Sequence, residues 1–272
     1  MVNYINYYIT NSMQSFNHLT LLDVKFLNIK MQQALKLIAD NIKTGTQKSI
    51  YFVNADCLNK TIKDQEYLQI LNQGDYVFAD GSGIKIGCKI INEEVVDNVN
   101  GTDLLPLLCE QAVKYNHSIY LLGAKPGVAA KMVKNLEAKY QGIKIVGEQD
   151  GYFDKYDEKT IIKNINDSRA DILLIAFGAP FQEQWLHSYR KELSTKIMIG
   201  VGGLFDFYSG NTPRAPLWLR KSGLEWTFRL YQEPKRMFKR YILGNPLFIY
   251  RVYKWKFSSC FHPMNRKGII NE

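Results

Sequence analysis

Short apolar runs alternate along this chain with segments whose apolar residues recur at helical spacing, and that alternation restricts the fold more than any other feature. Residues 49–54, 76–79, 118–122, 143–147, 172–177 and 196–200 are too short and too continuously apolar for amphipathic helices, so they read as buried strands, with a further strand at 19–26. Helices are expected at 30–42, 64–71, 102–115, 128–140, 157–166 and 182–193; in the first, Met31, Ala34, Leu35, Ile38 and Ile42 form one stripe. Strands that alternate with helices of this size pair in parallel through crossovers. The expectation is an α/β fold, a Rossmann-like, mostly parallel sheet with helices on both faces. Ligands of such sheets sit beyond the carboxyl ends of the strands. Those ends here carry Asn54, Asp80, Gly123, Gly178 and Gly200.

The partition that follows is an N-terminal extension (1–18), an α/β domain (19–210) and a basic helical C-terminal appendage (211–272). Hydrophobic content of 46% and charge of 22% exclude a disordered chain. No run reaches the ~18 apolar residues of a membrane-spanning helix. The opening MVNYINYYITNSMQSF lacks the basic and apolar regions of a signal peptide, so a cytoplasmic location is expected. Cys57, Cys88, Cys109 and Cys260 are widely separated, and His18, His117, His187 and His262 are scattered; neither set has the spacing of a metal site or a disulfide framework.

The net charge of +9 is concentrated at one end. Thirteen Lys/Arg against three Asp/Glu lie between Arg214 and Glu272, together with Trp218, Trp226 and Trp255, and the body before them is nearly neutral. Basic charge interleaved with aromatics suits an anionic membrane surface, a diphosphate or nucleic acid. Pro234 separates two short helices. At 100° per residue, Lys235, Arg236, Lys239 and Arg240 share one face and Met237, Phe238, Tyr241 and Ile242 the other. Asn245-Pro246 reads as the start of a further helix over 247–257.

Asp80, ahead of Gly81 at a strand end, is placed to accept a proton from an attacking hydroxyl or to bind a sugar hydroxyl, with an ordinary Asp-Gly turn as the competing reading. Asn54 has the equivalent position on a neighbouring strand. The turn from Gly123 to Gly127, ahead of a helix, and the Gly200-Val201-Gly202-Gly203 turn resemble phosphate-binding loops without matching a nucleotide fingerprint. The chain contains no Asp-x-Asp pair to hold a metal on a departing diphosphate. Arginine does that work by charge-assisted, bidentate hydrogen bonds, and Arg214, Arg229, Arg236 and Arg240 are the candidates.

In order, Asn54-Ala55, Asp80-Gly81, Gly101-x-Asp103, Gly151-Tyr152-Phe153, Gly178-x-Pro180-x-Gln182-Glu183, Arg214-Ala215-Pro216, Gly223-Leu224-Glu225-Trp226 and Glu233-Pro234 resemble the WecG/TagA/CpsF family of bacterial glycosyltransferases, over about residues 19–241. The resemblance implies a GT-E type fold and an inverting, metal-independent transfer that needs no cofactor. The sugar, N-acetylmannosamine, its uronic acid or another hexose, would pass from a UDP donor to a polyprenyl-diphosphate-linked saccharide. The setting it implies is cell-surface polysaccharide assembly, peripheral on the inner face of the bacterial plasma membrane. It makes Asp80 the general base, places Asn54 and Gln182 in the pocket, and gives Arg229 and Arg236 to the diphosphate, with Lys239 where a further arginine is expected and Arg240 beside it. Two positions depart from the family pattern: Phe52 stands for a threonine and Phe181 for a lysine, which leaves a different donor or acceptor open. Two other readings compete. A nicotinamide-dependent oxidoreductase lacks its G-x-G-x-x-G fingerprint, and a nucleic-acid-binding module would rest on the basic tail alone. Homo-oligomerisation is left open.

Overall fold

A computed structural model of the chain describes residues 16–261. The extension over 1–15 and the end of the appendage, His262 included, lie outside the described residues. The eight strands are β1 (His18–Leu21), β2 (Val24–Leu27), β3 (Lys48–Val53), β4 (Tyr76–Ala79), β5 (Ser118–Gly123), β6 (Lys144–Gln149), β7 (Ile172–Ala176) and β8 (Ile197–Gly200). They form one sheet in the order β1-β2-β4-β3-β8-β7-β5-β6, parallel except for the β1/β2 hairpin. Alternation along each strand feeds two cores: in β3, Tyr51 and Val53 enter one, Ile50 and Phe52 the other. The sheet is therefore covered on both faces, as its apolar strands require.

One device pins the amino-terminal edge of the sheet twice. Asp75, just before β4, accepts hydrogen bonds from the Ser49 backbone N–H (2.9 Å) and hydroxyl (3.0 Å) on β3, and pairs with Lys48 (3.0 Å) and Arg190 (2.7 Å). Asp171, just before β7, receives the N–H (2.9 Å) and hydroxyl (3.1 Å) of Ser118 on β5 and pairs with Lys196 (2.7 Å). Each carboxylate closes polar groups that a strand start would leave unpaired. The opposite, carboxyl edge is left free for chemistry.

Several elements differ from the sequence expectation. The strand expected over 19–26 is a hairpin, because Leu22 and Asp23 both take left-handed φ (49° and 65°) without the usual glycine. Helices Ala55–Thr61 and Ser82–Ile90 were not expected; two glycines weaken the second in sequence. A Cβ on one of them, Gly87, would meet Phe248 at 2.9 Å, so that glycine admits the C-terminal helix at close range. That helix runs from Gly244 to Phe261, starting before Asn245-Pro246. The expected cationic face does not form as drawn. After helix Pro234–Met237 the chain winds as a π-helix from Phe238 to Leu243, whose wider turn breaks the 100° phase; Met237 is buried, Phe238 and Ile242 are exposed, and Arg240 turns inward.

Helix Gly244–Phe261 belongs to the core of the sheet: Phe248 and Val252 are buried in it. Arg251 donates to the Asn59 backbone oxygen (2.9 Å) and Oδ1 (2.8 Å), Asn59 donates to Gly244 O (2.8 Å), and Lys256 donates to Ile90 O.

Substituting Asp75→Ala should cost on the order of 2 kcal/mol at neutral pH, because it strands Arg190 and the Ser49 N–H at a half-closed site. Burial alone would raise the Asp75 carboxyl, but Ser49, Lys48 and Arg190 together hold it below its ordinary 3.8. Its contribution is therefore complete above that value and is lost as pH falls through the lower folded value. Urea melts of wild type and variant at pH 7 and pH 3 test this; a difference that does not shrink in acid would contradict the assignment.

Candidate active site

Four adjacent strands, β4, β3, β8 and β7, deliver their carboxyl ends to one cleft of about 790 Å³. Asn54 follows β3, Asp80 follows β4, Gly178 and Gln182 follow β7, and Gly202 follows β8. The cleft continues into a lobe of about 380 Å³ beneath Trp226, Tyr241 and Phe248, and into another of about 650 Å³ beside Lys125, Tyr152 and Asp206. Asp80, Asn54, Arg229 and Arg240 border both the cleft and the first lobe; Gly178, Gly202 and Arg236 border both the cleft and the second. Volumes of this size hold a ligand as large as a nucleotide sugar.

Asp80 is held by its backbone, whose N–H donates to Val53 O (2.8 Å). Gly81 takes φ of 91°, outside the range other residues favour, and its N–H donates to Asn98 Oδ1 at 2.6 Å, so the turn aims the Asp80 side chain into the cleft. Burial pushes the Asp80 carboxyl above its ordinary value; Arg240 and Arg229 oppose the rise, Glu225 adds to it, and Asn54 favours the ionised form. A carboxylate raised in this way is a better proton acceptor than an exposed one. Asn54 is itself the N-cap of helix Ala55–Thr61: its Oδ1 accepts from the N–H groups of Asp56 and Cys57, both at 3.1 Å.

Gln182 has a different task from direct display. Its Oε1 accepts from the N–H of Gly178 (3.2 Å) and of Gly202 (2.9 Å), and its Nε2 donates to Glu183 Oε1 (2.7 Å). The side chain thus ties the loop after β7 to the loop after β8. A Cβ on Gly200 would lie 2.9 Å from Gln182 Nε2, so only glycine leaves room for this tie.

Arginines cover the cleft. The guanidinium of Arg229 lies 4.8 Å from the Phe207 ring centroid, and a Cβ on Gly203 would stand 3.6 Å from Arg229 Nη2 and 3.9 Å from Arg236 Nη2. Both guanidiniums therefore converge on the Gly202-Gly203 turn. Arg236 pairs with Glu233 (2.9 Å), and Arg240 approaches Asp56 (3.9 Å). Lys239 also lines the cleft.

Arg214, Gly123 and Gly127 do not line it. Arg214 pairs with Asp103 (2.7 Å) and Glu225 (3.6 Å), and Arg220 reaches the same Asp103 (3.5 Å); this group joins the start of helix Gly101–Tyr115 to the C-terminal segment. A Cβ on Gly123 would meet the Ala176 backbone at 2.7 Å, so that glycine serves close packing of β5 on β7. Phe52 is buried, its ring tilted against Phe78, and forms an apolar wall of the cleft. Phe181 is 55% exposed on the rim of the second lobe. Sequence reasoning missed Asp56, Lys60, Asn98, Glu225 and Arg251, which also line the cleft or its first lobe. Of these, Asp56, two residues after a strand end, and Glu225, inside the Gly223-Leu224-Glu225-Trp226 block, carried a signal that could have found them. Among the described residues no group of three or more His, Cys, Asp or Glu is placed to hold a metal ion.

Residues 19–260 match the sequence profile of the family described as "Glycosyl transferase WecG/TagA/CpsF family". A protein of Bacillus subtilis (strain 168) named N-acetylglucosaminyldiphosphoundecaprenol N-acetyl-beta-D-mannosaminyltransferase is 34% identical over 216 residues, 79% of this chain and 83% of the relative. A protein of the same name from Staphylococcus aureus (strain MRSA252) is 29% identical over 239 residues, 87% of this chain and 92% of the relative.

A raised carboxyl implies that the fold bears a penalty when Asp80 ionises. The penalty is absent below its ordinary 3.8 and complete once pH exceeds the higher folded value. Asp80→Asn should therefore raise the thermal midpoint at pH 8, and the gain should fade toward pH 4. A lower midpoint at pH 8 would show that the fold depends on the ionised group.

Proposed function

The chain belongs to the WecG/TagA/CpsF family of glycosyltransferases, and from that premise we propose that it moves N-acetylmannosamine, or a closely related sugar, from a UDP donor to a polyprenyl-diphosphate-linked saccharide. The transfer proceeds with inversion and without a metal ion. One observation carries this reading: Asp80, its carboxyl raised by burial, stands where the cleft meets its first lobe, with Arg229 and Arg240 on the same walls. The names of the relatives supply the sugar and the acceptor class that the reading adopts.

In this reaction the acceptor hydroxyl oxygen attacks the anomeric carbon from the face opposite UDP. Its proton passes to Asp80 as the new C–O bond forms. The bond from the anomeric carbon to the diphosphate oxygen breaks, and its electron pair leaves with UDP. Arg229, Arg236 and Arg240 meet the charge that develops there, and the Gly202-Gly203 turn, free of side chains, lets the diphosphate approach closely. A donor laid along the cleft and the lobe beside Asp206, with the acceptor sugar under Trp226, puts Asp80 between them.

The lipid-linked acceptor also calls for a membrane surface. Trp218, Tyr231, Phe238, Leu243 and Tyr250 are exposed, with Lys221, Lys235, Lys239 and Lys254 among them. Such a surface suits the interface of an anionic bilayer, and we place the enzyme on the inner face of the bacterial plasma membrane. No helix of the described residues is long and apolar enough to cross a membrane.

The test is UDP release from a panel of UDP-sugars, with and without a short polyprenyl-diphosphate-GlcNAc analogue, in EDTA. Acceptor-dependent release that persists in EDTA and falls about 10³-fold in Asp80→Ala is expected. Arg229→Ala and Arg240→Ala should each lower kcat about 100-fold. Loss of activity in EDTA, or an Asp80→Ala enzyme within a few-fold of wild type, would refute the mechanism. Because Phe248 and Val252 sit in the core, these point substitutions probe the C-terminal segment more cleanly than its deletion.

A further inference from the structure

Next to the tie made by Gln182 lies a carboxyl group to which the proposed reaction gives no task. Glu183, in the first turn of helix Phe181–Tyr189, is fully buried. Its Oε1 accepts from Gln182 Nε2 at 2.7 Å, and the residue's own N–H and the buried Tyr67 hydroxyl also favour the ionised carboxylate. Burying a carboxyl costs more than burying an apolar side chain of its size, so packing alone does not call for one here.

The neighbouring amide does. A glutamine amide fits its cavity either way round, and the two orientations exchange an acceptor for a donor. Gln182 binds the N–H groups of Gly178 and Gly202 only with Oε1 toward them; reversed, its NH₂ would face two more donors. An ionised carboxylate at Glu183 accepts and never donates, so it selects the orientation in which Nε2 points at it. We propose that Glu183 is a positioning residue, which fixes the Gln182 amide and through it locks the Gly178 and Gly202 loops of the cleft into one relative placement. Burial pushes the Glu183 carboxyl up to about 7, with the Gln182 hydrogen bond and Lys60 opposing the rise. A proton taken up on Oε2 leaves Oε1 free to accept from Gln182 as before.

The consequence for donor affinity rests on the reading that these loops receive a UDP-sugar; the consequence for the loops themselves does not. The experiment compares wild type with Glu183→Met and Glu183→Gln, by hydrogen–deuterium exchange of the unliganded protein over residues 177–180 and 200–204 and by titration with UDP. Glu183→Met keeps the volume and removes the acceptor. It should speed exchange at both loops and weaken UDP binding, each about tenfold. Glu183→Gln, whose carbonyl still accepts from Nε2, should stay within about threefold of wild type on both readouts. Unchanged loop exchange in Glu183→Met, or equal impairment in both variants, overturns the inference. So does a lowered midpoint that Glu183→Gln fails to restore, which would mark the residue as purely structural. If wild type binds no UDP, the donor reading fails and the exchange data still decide this one.

Discussion

The site depends on the seating of the C-terminal helix against the sheet. Phe248 and Val252 enter the core, Phe248 against Gly87, and Arg251 and Gly244 are bonded to Asn59 on the helix that follows β3. Burying two such side chains contributes roughly 2 kcal/mol each, enough to hold the segment from Leu217 to Leu243 over the strand ends. On an open sheet edge Asp80 would face water, and its carboxyl would have no reason to rise. Packing of this helix thus sets the dielectric around Asp80, which borders the same lobe as Phe248.

The same seating arranges the charges. Arg214 and Arg236 meet the carboxylates Asp103, Glu225 and Glu233, which leaves the guanidiniums unequal in what they can do next. Arg214 is half-enclosed and bound to two acids, so moving it would break both pairs. The Arg236 and Glu233 pair is solvent-exposed, and exchanging Glu233 for an incoming phosphate changes little free energy. Among the described residues Arg229 has no carboxylate within pairing distance; it rests on Phe207, facing the Gly202-Gly203 turn. A guanidinium without a carboxylate partner, beside a glycine turn, suits an anion.

The strands that carry Asn54 and Asp80 were legible because both faces are buried, so each reads as a continuous apolar run that stops at the polar residue. Helix Ala55–Thr61 was hidden by its length and by Asn54, which looked like a turn residue and is the cap that starts it. The cationic face failed for a different reason: periodicity assumes one helical geometry, and the π-helix at Phe238–Leu243 turns Arg240 inward and Phe238 outward. Arg251 was beyond reach of any local pattern, since what seats it at the cleft is its contact with Asn59, 192 positions away. Gln182 was found as a pocket residue, but its hydrogen bonds to Gly178 and Gly202 appear only when two loops twenty residues apart are brought together.

The positions where this chain departs from its family pattern narrow what the cleft can recognise. Phe52 is packed on Phe78 and close to Gly101, so it is a fixed apolar wall that offers no hydrogen bond. On the proposed reading, recognition on that side falls to Asn54, whose Oδ1 is already committed to the N–H groups of Asp56 and Cys57. What remains is the Nδ2 group, a donor that meets an oxygen of the ligand or the Asp80 carboxylate. Phe181, exposed and set against Phe177, adds no charge to the second lobe, so the positive charge there comes from Lys125 and Arg236. On the proposed reading, selectivity for the transferred sugar on this side draws on one amide donor, one raised carboxyl and an apolar wall. Such a set distinguishes sugars by where an oxygen points and by the bulk that fits beside Phe52.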